Sequence, residues 1–124
     1  MSAEGGEFRD RVVVVTGAAH GIGQATAHRY AEEGARLVLA DLDLEGARLV
    51  AKECAERGGE ALPVQFDQRS SASVAEMLAA AHDRYGPVDV LANVAGIYPG
   101  AAIADTTDEM WDDVVRNNLT GVFY

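Results

Sequence analysis

Cysteine is almost missing from this sequence: Cys54 stands alone. A single thiol cannot close an internal disulfide, so a reducing compartment fits and a cytoplasmic location is expected. Positive charge is scarce as well. Ten Lys and Arg face twenty Asp and Glu, for a formal net charge of -10. That balance argues against nucleic acid and against anionic membrane surfaces as partners. Long apolar runs are absent: Val12-Val13-Val14-Val15 has only strand length, and no basic segment followed by a long apolar core opens the chain. No Gly-x-x-x-x-Gly-Lys-Ser/Thr occurs, which argues against a P-loop nucleotidase. His28 and His82 have no acid or cysteine at ligand spacing, so no metal site is expected. Internal repeats and low-complexity segments are also missing. What remains is ordinary: 124 residues, 48% hydrophobic and 24% charged, enough for one domain with a real core.

The informative stretch is Thr16-Gly17-Ala18-Ala19-His20-Gly21-Ile22-Gly23. It lies between the Val12–Val15 run and an amphipathic segment that begins at Ile22. A strand turning through glycines into a helix is built to hold a phosphate. The first turn of a helix leaves backbone N–H groups unpaired, and the helix dipole adds partial positive charge there. Glycines allow a tight turn and let a pyrophosphate approach the backbone with no Cβ in its way. Backbone amides set this local field, so an acidic chain can still take an anionic cofactor. Asp41 ends the next strand, at the spacing of a ribose contact, and Leu42 beside it joins the same set. No Arg or Lys follows in Leu42-Asp43-Leu44, and a carboxylate there repels a 2′-phosphate. The expected cofactor is therefore NAD.

Period and punctuation divide the chain into alternating strands and helices. Residues 1–10 read as a flexible lead. Strands are expected at 12–16, 36–40, 61–66 and 88–92. The first helix, 22–33, has Ile22, Ala25, Thr26 and Arg29-Tyr30 along one side and stops at Gly34. The second runs from an Asp43 cap to Arg57, with Cys54 as a small core residue. The third opens at Ser70 or Ser71 and ends at Tyr85. Thr106-x-x-Glu109 looks like a capping box opening the last helix. This alternation predicts an α/β fold, a doubly wound, Rossmann-type parallel sheet of which half is present. Right-handed crossovers give the strand order 3-2-1-4. The cofactor crevice is expected at the carboxyl ends of the first and fourth strands.

The spacing Thr-Gly-x-x-x-Gly-x-Gly resembles that of the short-chain dehydrogenase/reductase family. Leu91-Ala92-Asn93-Val94-Ala95-Gly96 is similar to that family's Asn-Asn-Ala-Gly motif, with Val94 in place of the second Asn. Trp111 through Asn118-Leu119-Thr120-Gly121 looks like the helix that carries its catalytic Asn. The resemblance implies an NAD-dependent oxidoreductase that moves a hydride between nicotinamide and a secondary alcohol or ketone. It implies cofactor contacts from Gly17, His20, Gly21, Ile22 and Gly23 in the glycine loop. Asp67 would meet the adenine amino group through its side chain, and Gln68 would add a backbone contact. Asn93 would brace the sheet and position the cofactor, and Ala95-Gly96 would pass close to the nicotinamide ribose. Asn118 would kink its helix and hold a water linked to the family's lysine. His20 reads as an exposed loop side chain near the adenosine phosphate, with no role as a base.

The family's Ser and its Tyr-x-x-x-Lys pair find no match. Lys52 is the one lysine, and no residue four beyond Tyr30, Tyr85 or Tyr98 is lysine. The sequence also stops inside a helical pattern formed by Met110, Trp111, Val114, Val115, Leu119 and Val122. The chain therefore reads as the cofactor-binding half of a longer enzyme, residues 11–124 forming the NAD-binding domain. By itself it is expected to be inactive. Its apolar final helix and fourth strand predict a homodimer or homotetramer. A non-catalytic nucleotide-binding module or regulatory subunit is an alternative. A methyltransferase is a third reading, against which the Asn93 and Asn118 motifs speak.

Overall fold

The computed structural model describes residues 5–124. Four parallel strands form one sheet: β1 (Val12–Thr16), β2 (Arg36–Asp41), β3 (Glu60–Gln65) and β4 (Val90–Ala92). Their order is β3-β2-β1-β4, as the alternation predicted. Helices α1 (Gly21–Glu32), α2 (Leu44–Glu56) and α3 (Ser71–Tyr85) make the crossovers. A 3₁₀ turn, Ile103–Asp105, precedes α4 (Asp108–Val115), which runs through a π-turn (Arg116–Thr120) into the short α5 (Gly121–Phe123).

Valine-rich β1 is buried along its whole length because it is flanked on both edges and covered on both faces. Its register with β2 sets Val13 beside Leu37 and Val15 beside Leu39. One face packs Val13, Val15, Leu37 and Leu39 against α1 and α2, with Val50 and Cys54 from α2. The other packs Val14, Val38 and Ala40 against α3, through Val74, Met77 and Ala81. Burial pushes the Cys54 thiol up to about 11, so it behaves as a small apolar filler. Edge strand β3 carries Pro63, in register with Leu39.

The side of α1 turned to the sheet is Gly23, Ala27 and Ala31, not the stripe that begins at Ile22, which is 77% exposed. Small side chains at four-residue spacing let this helix lie close to its neighbours. A Cβ on Gly59 would stand 2.8 Å from the Ala31 Cα. Size, rather than hydropathy, chose the inner face.

Three further expectations shift. The lead is in part docked: Phe8 meets Tyr30 edge-on at 4.9 Å between ring centres, and the Glu7 N–H donates to the Glu33 carboxylate at 2.9 Å. Apolar Phe8 gives this stretch something to bury, while residues 1–4 of that lead lie outside the described residues. The last helix is capped one residue later than the capping-box pattern implied. The Thr107 hydroxyl accepts from the Met110 N–H at 3.1 Å. The Thr106 hydroxyl is already committed to the Ala102 carbonyl across the 3₁₀ turn. Finally, β4 starts at Val90 rather than Val88, because the Asp89 carboxylate takes the Val12 N–H at 2.9 Å.

Candidate functional site

Three of the four principal helices begin with a side-chain cap. Asp43 caps α2, Ser70 caps α3 and Thr107 caps α4, each accepting from a backbone N–H in the first turn. By contrast, α1 has none: His20 occupies the cap position without a side-chain cap bond, and no acidic residue lies in the first turn. The opening amides of α1 are left for a ligand.

The glycines that shape this end differ in purpose. Gly17 has φ +66, and a Cβ on it would lie 2.9 Å from the Ala95 Cα, so two loops meet there with no room for a side chain. A Cβ on Gly23 would fall 1.8 Å from the Gly17 carbonyl oxygen. Gly21 has φ +52, yet nothing lies within 4 Å of its absent Cβ. Gly17 and Gly23 are thus required by packing. Gly21 turns the chain and leaves the loop face open.

A cleft of about 370 Å³ lies at this carboxyl edge of the sheet. Gly17, His20, Ile22 and Gly23 line one wall, Asp41 and Leu42 the second, and Gln68, Ala95 and Gly96 the third. Nine of the expected cofactor residues are therefore brought together. Thr16, 3% exposed, fixes the third wall to the first. Its hydroxyl accepts from the Val94 and Ala95 N–H groups at 3.0 and 3.1 Å and reaches the Ala92 carbonyl at 3.4 Å. The Asp41 carboxylate accepts from the Ala19 N–H at 3.0 Å and from the Asp43 N–H at 2.9 Å. It is held by two loops and keeps free lone pairs toward the cleft. His20 Nε2 lies 2.8 Å from Asp43 Oδ2. The Gly46 amide, and then His20, hold the Asp43 carboxyl below the usual carboxylate range.

Three expected residues stand elsewhere. Gly21 shapes the loop without lining the cleft. Asp67 turns away: its carboxylate accepts from the Arg69 backbone N–H and guanidinium at 3.0 and 3.1 Å, and these bonds lower its pKa. A carboxylate has about four acceptor sites, so these bonds leave room for a further donor. The Asn93 side chain is exposed beside edge strand β4 and makes no hydrogen bond among the described residues.

Gln68 contributes more than backbone. Its side chain is 5% exposed in sum with its backbone, and Nε2 donates to the Ala95 carbonyl at 3.2 Å and the Asn117 carbonyl at 2.7 Å. Asn118 sits inside the π-turn and clasps one residue twice: Oδ1 accepts from the Ile97 N–H at 2.9 Å, and Nδ2 donates to the Ile97 carbonyl at 2.8 Å. Asn118 and Ile97 line a neighbouring hollow of about 220 Å³ with Tyr98, Pro99, Met110 and Trp111. Ile97 also lines the larger cleft, so the two spaces adjoin. Phe66 and Asn117 complete the cleft wall and were missed from sequence. A phenylalanine one residue before a strand-end aspartate reads as core, and no local signal singles out Asn117 beside Asn118. Among the described residues, no group of three His, Cys, Asp or Glu gathers to hold a metal, and no helix is long and apolar enough to cross a membrane.

A helix start free of caps, a carboxylate at the second strand end and a third wall drawn in by Thr16 can hold an extended nucleotide. Known proteins resemble this chain in sequence and fold. A Streptomyces coelicolor protein whose name provisionally makes it a ketoacyl reductase is 47% identical over 112 residues, covering 90% of this chain and 43% of its own length. The 2,5-dichloro-2,5-cyclohexadiene-1,4-diol dehydrogenase of Sphingobium indicum is 38% identical over 113 residues, covering 91% of this chain and 45% of its own length. The crystal structure of an actinorhodin polyketide ketoreductase variant with NADPH superposes with a TM-score of 0.84 at 43% identity. It covers 91% of this chain and 43% of its own. The chain spans less than half the length of these relatives. The short chain dehydrogenase family model matches residues 11–124, and the chain belongs to that family.

Proposed function

We propose that this chain is the cofactor-binding half of an NAD-dependent oxidoreductase that interconverts a secondary alcohol and a ketone. The observation that carries this reading is the uncapped start of α1 opening into the cleft with Asp41 at its rim. Bound there, the dinucleotide supplies hydride transfer at its nicotinamide carbon. The chain's own part is to bind and orient. The free amides at the start of α1 take pyrophosphate charge. The Asp41 carboxylate accepts from the adenosine ribose hydroxyls. Ala95-Gly96, pinned by Thr16 and Gln68, offers bare backbone on the opposite wall. Asn118 holds the Ile97 peptide between the cleft and the neighbouring hollow, where a small alcohol or ketone would lie.

Preference for NAD over NADP rests on charge. Asp41 lines the cleft with Asp43 bonded beside it, and among the described residues neither Lys nor Arg lines the cleft. A 2′-phosphate there meets repulsion and displaces ribose hydrogen bonds. The related ketoreductase with NADPH shows that the family fold also takes the phosphorylated cofactor. Steady-state kinetics of the full-length enzyme with both cofactors tests the preference. The expected ratio of kcat/KM favours NAD by roughly ten- to several-hundred-fold. Equal or better efficiency with NADP would overturn it.

The 124-residue chain alone is proposed to bind cofactor without turnover. It has no Tyr-x-x-x-Lys pair to move the alcohol proton as hydride leaves. That makes a non-catalytic nucleotide-binding module the second reading, and the coding frame beyond Tyr124 separates the two. The intact protein is further proposed to be a cytoplasmic homodimer or homotetramer. Trp111, Leu119 and Val122 support this, being 66%, 69% and 43% exposed on the last helical segment.

A further inference from the structure

The π-turn at Arg116–Thr120 redirects one hydrogen bond. The Gly121 N–H bonds the Arg116 carbonyl, five residues back, instead of the Asn117 carbonyl that an α-helix would assign to it. Asn117 thereby loses its regular partner. Gln68 Nε2 supplies a donor to that same carbonyl at 2.7 Å. Its other hydrogen goes to the Ala95 carbonyl at 3.2 Å, so both donors of one amide are spent on two different elements. Glycine makes room for this reach. A Cβ on Gly121 would stand 2.3 Å from the Gln68 Cγ and 2.7 Å from its carbonyl oxygen. Next in sequence to Asn117, Asn118 is turned onto the Ile97 peptide, and a Cβ on Gly96 would come 3.1 Å from its Oδ1.

We infer that Gln68 is a positioning residue: its side-chain amide holds the π-turn against the third wall of the cleft and so sets where Asn118 meets Ile97. Sequence reasoning gives position 68 only a backbone contact. The buried carboxamide does something a hydrocarbon of the same length cannot, because it satisfies a carbonyl that the π-turn leaves without its helical donor. A carboxylate cannot do so either, since it has no hydrogen to give and would face two carbonyl oxygens. The functional consequence rests on the role proposed above for Asn118.

The test uses the full-length enzyme that contains this segment, with Gln68→Met, Gln68→Glu and Gly121→Ala. Three quantities are read: the NAD dissociation constant, kcat, and the side-chain amide NMR resonances of Asn118. Gln68→Met should shift the Asn118 resonances and lower kcat about tenfold, while the dissociation constant changes less than about threefold. Gly121→Ala, which pushes Gln68 out by bulk, should give the same split. Gln68→Glu should recover activity as pH falls, because the protonated carboxyl regains one donor. Gln68→Met should show no such tilt. Each Glu measurement is made on one protein at two pH values, so a variant that folds poorly does not decide the matter. Unmoved Asn118 resonances, or affinity and kcat falling together, would overturn the positioning role. Shifted resonances in an enzyme whose Asn118→Ala variant keeps full kcat would support the brace and overturn the role of Asn118.

Discussion

The two flanks of β1 are built to different standards. On one side lie β2 and β3, paired over five and six residues, with Leu37, Val38, Leu39 and Ala40 fully buried. On the other lies β4, paired over three, with Leu91 48% exposed. Beyond β4 the apolar side chains of Trp111, Leu119 and Phe123 face solvent. The first flank is a finished core and the second an unfinished one. The cleft spans both, since Asp41 belongs to the finished side and Ala95-Gly96 to the other. One wall of the cleft thus stands on the closely packed flank and the other on the exposed one.

The sharpest break of this comparison is catalytic. The isolated 124-residue chain should show no hydride transfer with any alcohol tested, whereas the proposed full-length enzyme should turn over; turnover by the purified 124-residue chain alone would refute the division of labour. Next comes stability. Leu37→Ala in the finished flank should cost about 2–5 kcal/mol, because it opens a cavity between sheet and helices. Leu91→Ala should cost below about 1 kcal/mol in the isolated chain. Denaturant midpoints measure both, and equal losses would mean that β4 is as well packed as β2.

Acid comes third. The Asp43, Asp67 and Glu53 carboxyls all lie below their ordinary pKa, through the Gly46 amide, the Arg69 guanidinium and His28 respectively. A lowered folded pKa means the unfolded chain binds protons first as pH falls. Stability from these groups is therefore complete above the usual carboxylate range and is lost as pH drops through the folded values. Because the groups are partly exposed to solvent, the loss should be modest and shrink in high salt. Thermal melts from neutral to acid pH, at low and high ionic strength, give the measurement. The smallest effect is chemical. Cys54 should resist iodoacetamide at pH 8, since its thiol is pushed up to about 11. Mild denaturant should release that protection, and rapid alkylation of the native chain would show that the finished flank breathes.

Much of the finished flank was legible in the sequence. Val12–Thr16, the three glycines and Asp41 state their geometry locally: β-branched residues for a doubly covered strand, glycines for a tight loop, an acid at a strand end. The strand order followed from alternation and crossover handedness. The inner face of α1 was not legible, because Gly23, Ala27 and Ala31 win it by smallness while Ile22 stays outside. The pairing of Asp67 with Arg69, two residues on, was not legible either, since nothing local says which way either side chain turns. The Gln68 brace depends on a π-turn whose Asn117 lies 49 residues away in sequence, and no local signal announces it.

Pro63 gives the two sheet margins unequal chemistry. The β3 margin offers a proline with no N–H, a poor template for a fifth strand. The β4 margin has no such guard. Growth of the sheet is therefore one-directional. Two isolated chains that meet through β4 about a twofold axis consume the open margin of each and leave only blunted ones, so assembly by that route halts at a pair instead of propagating into a fibre.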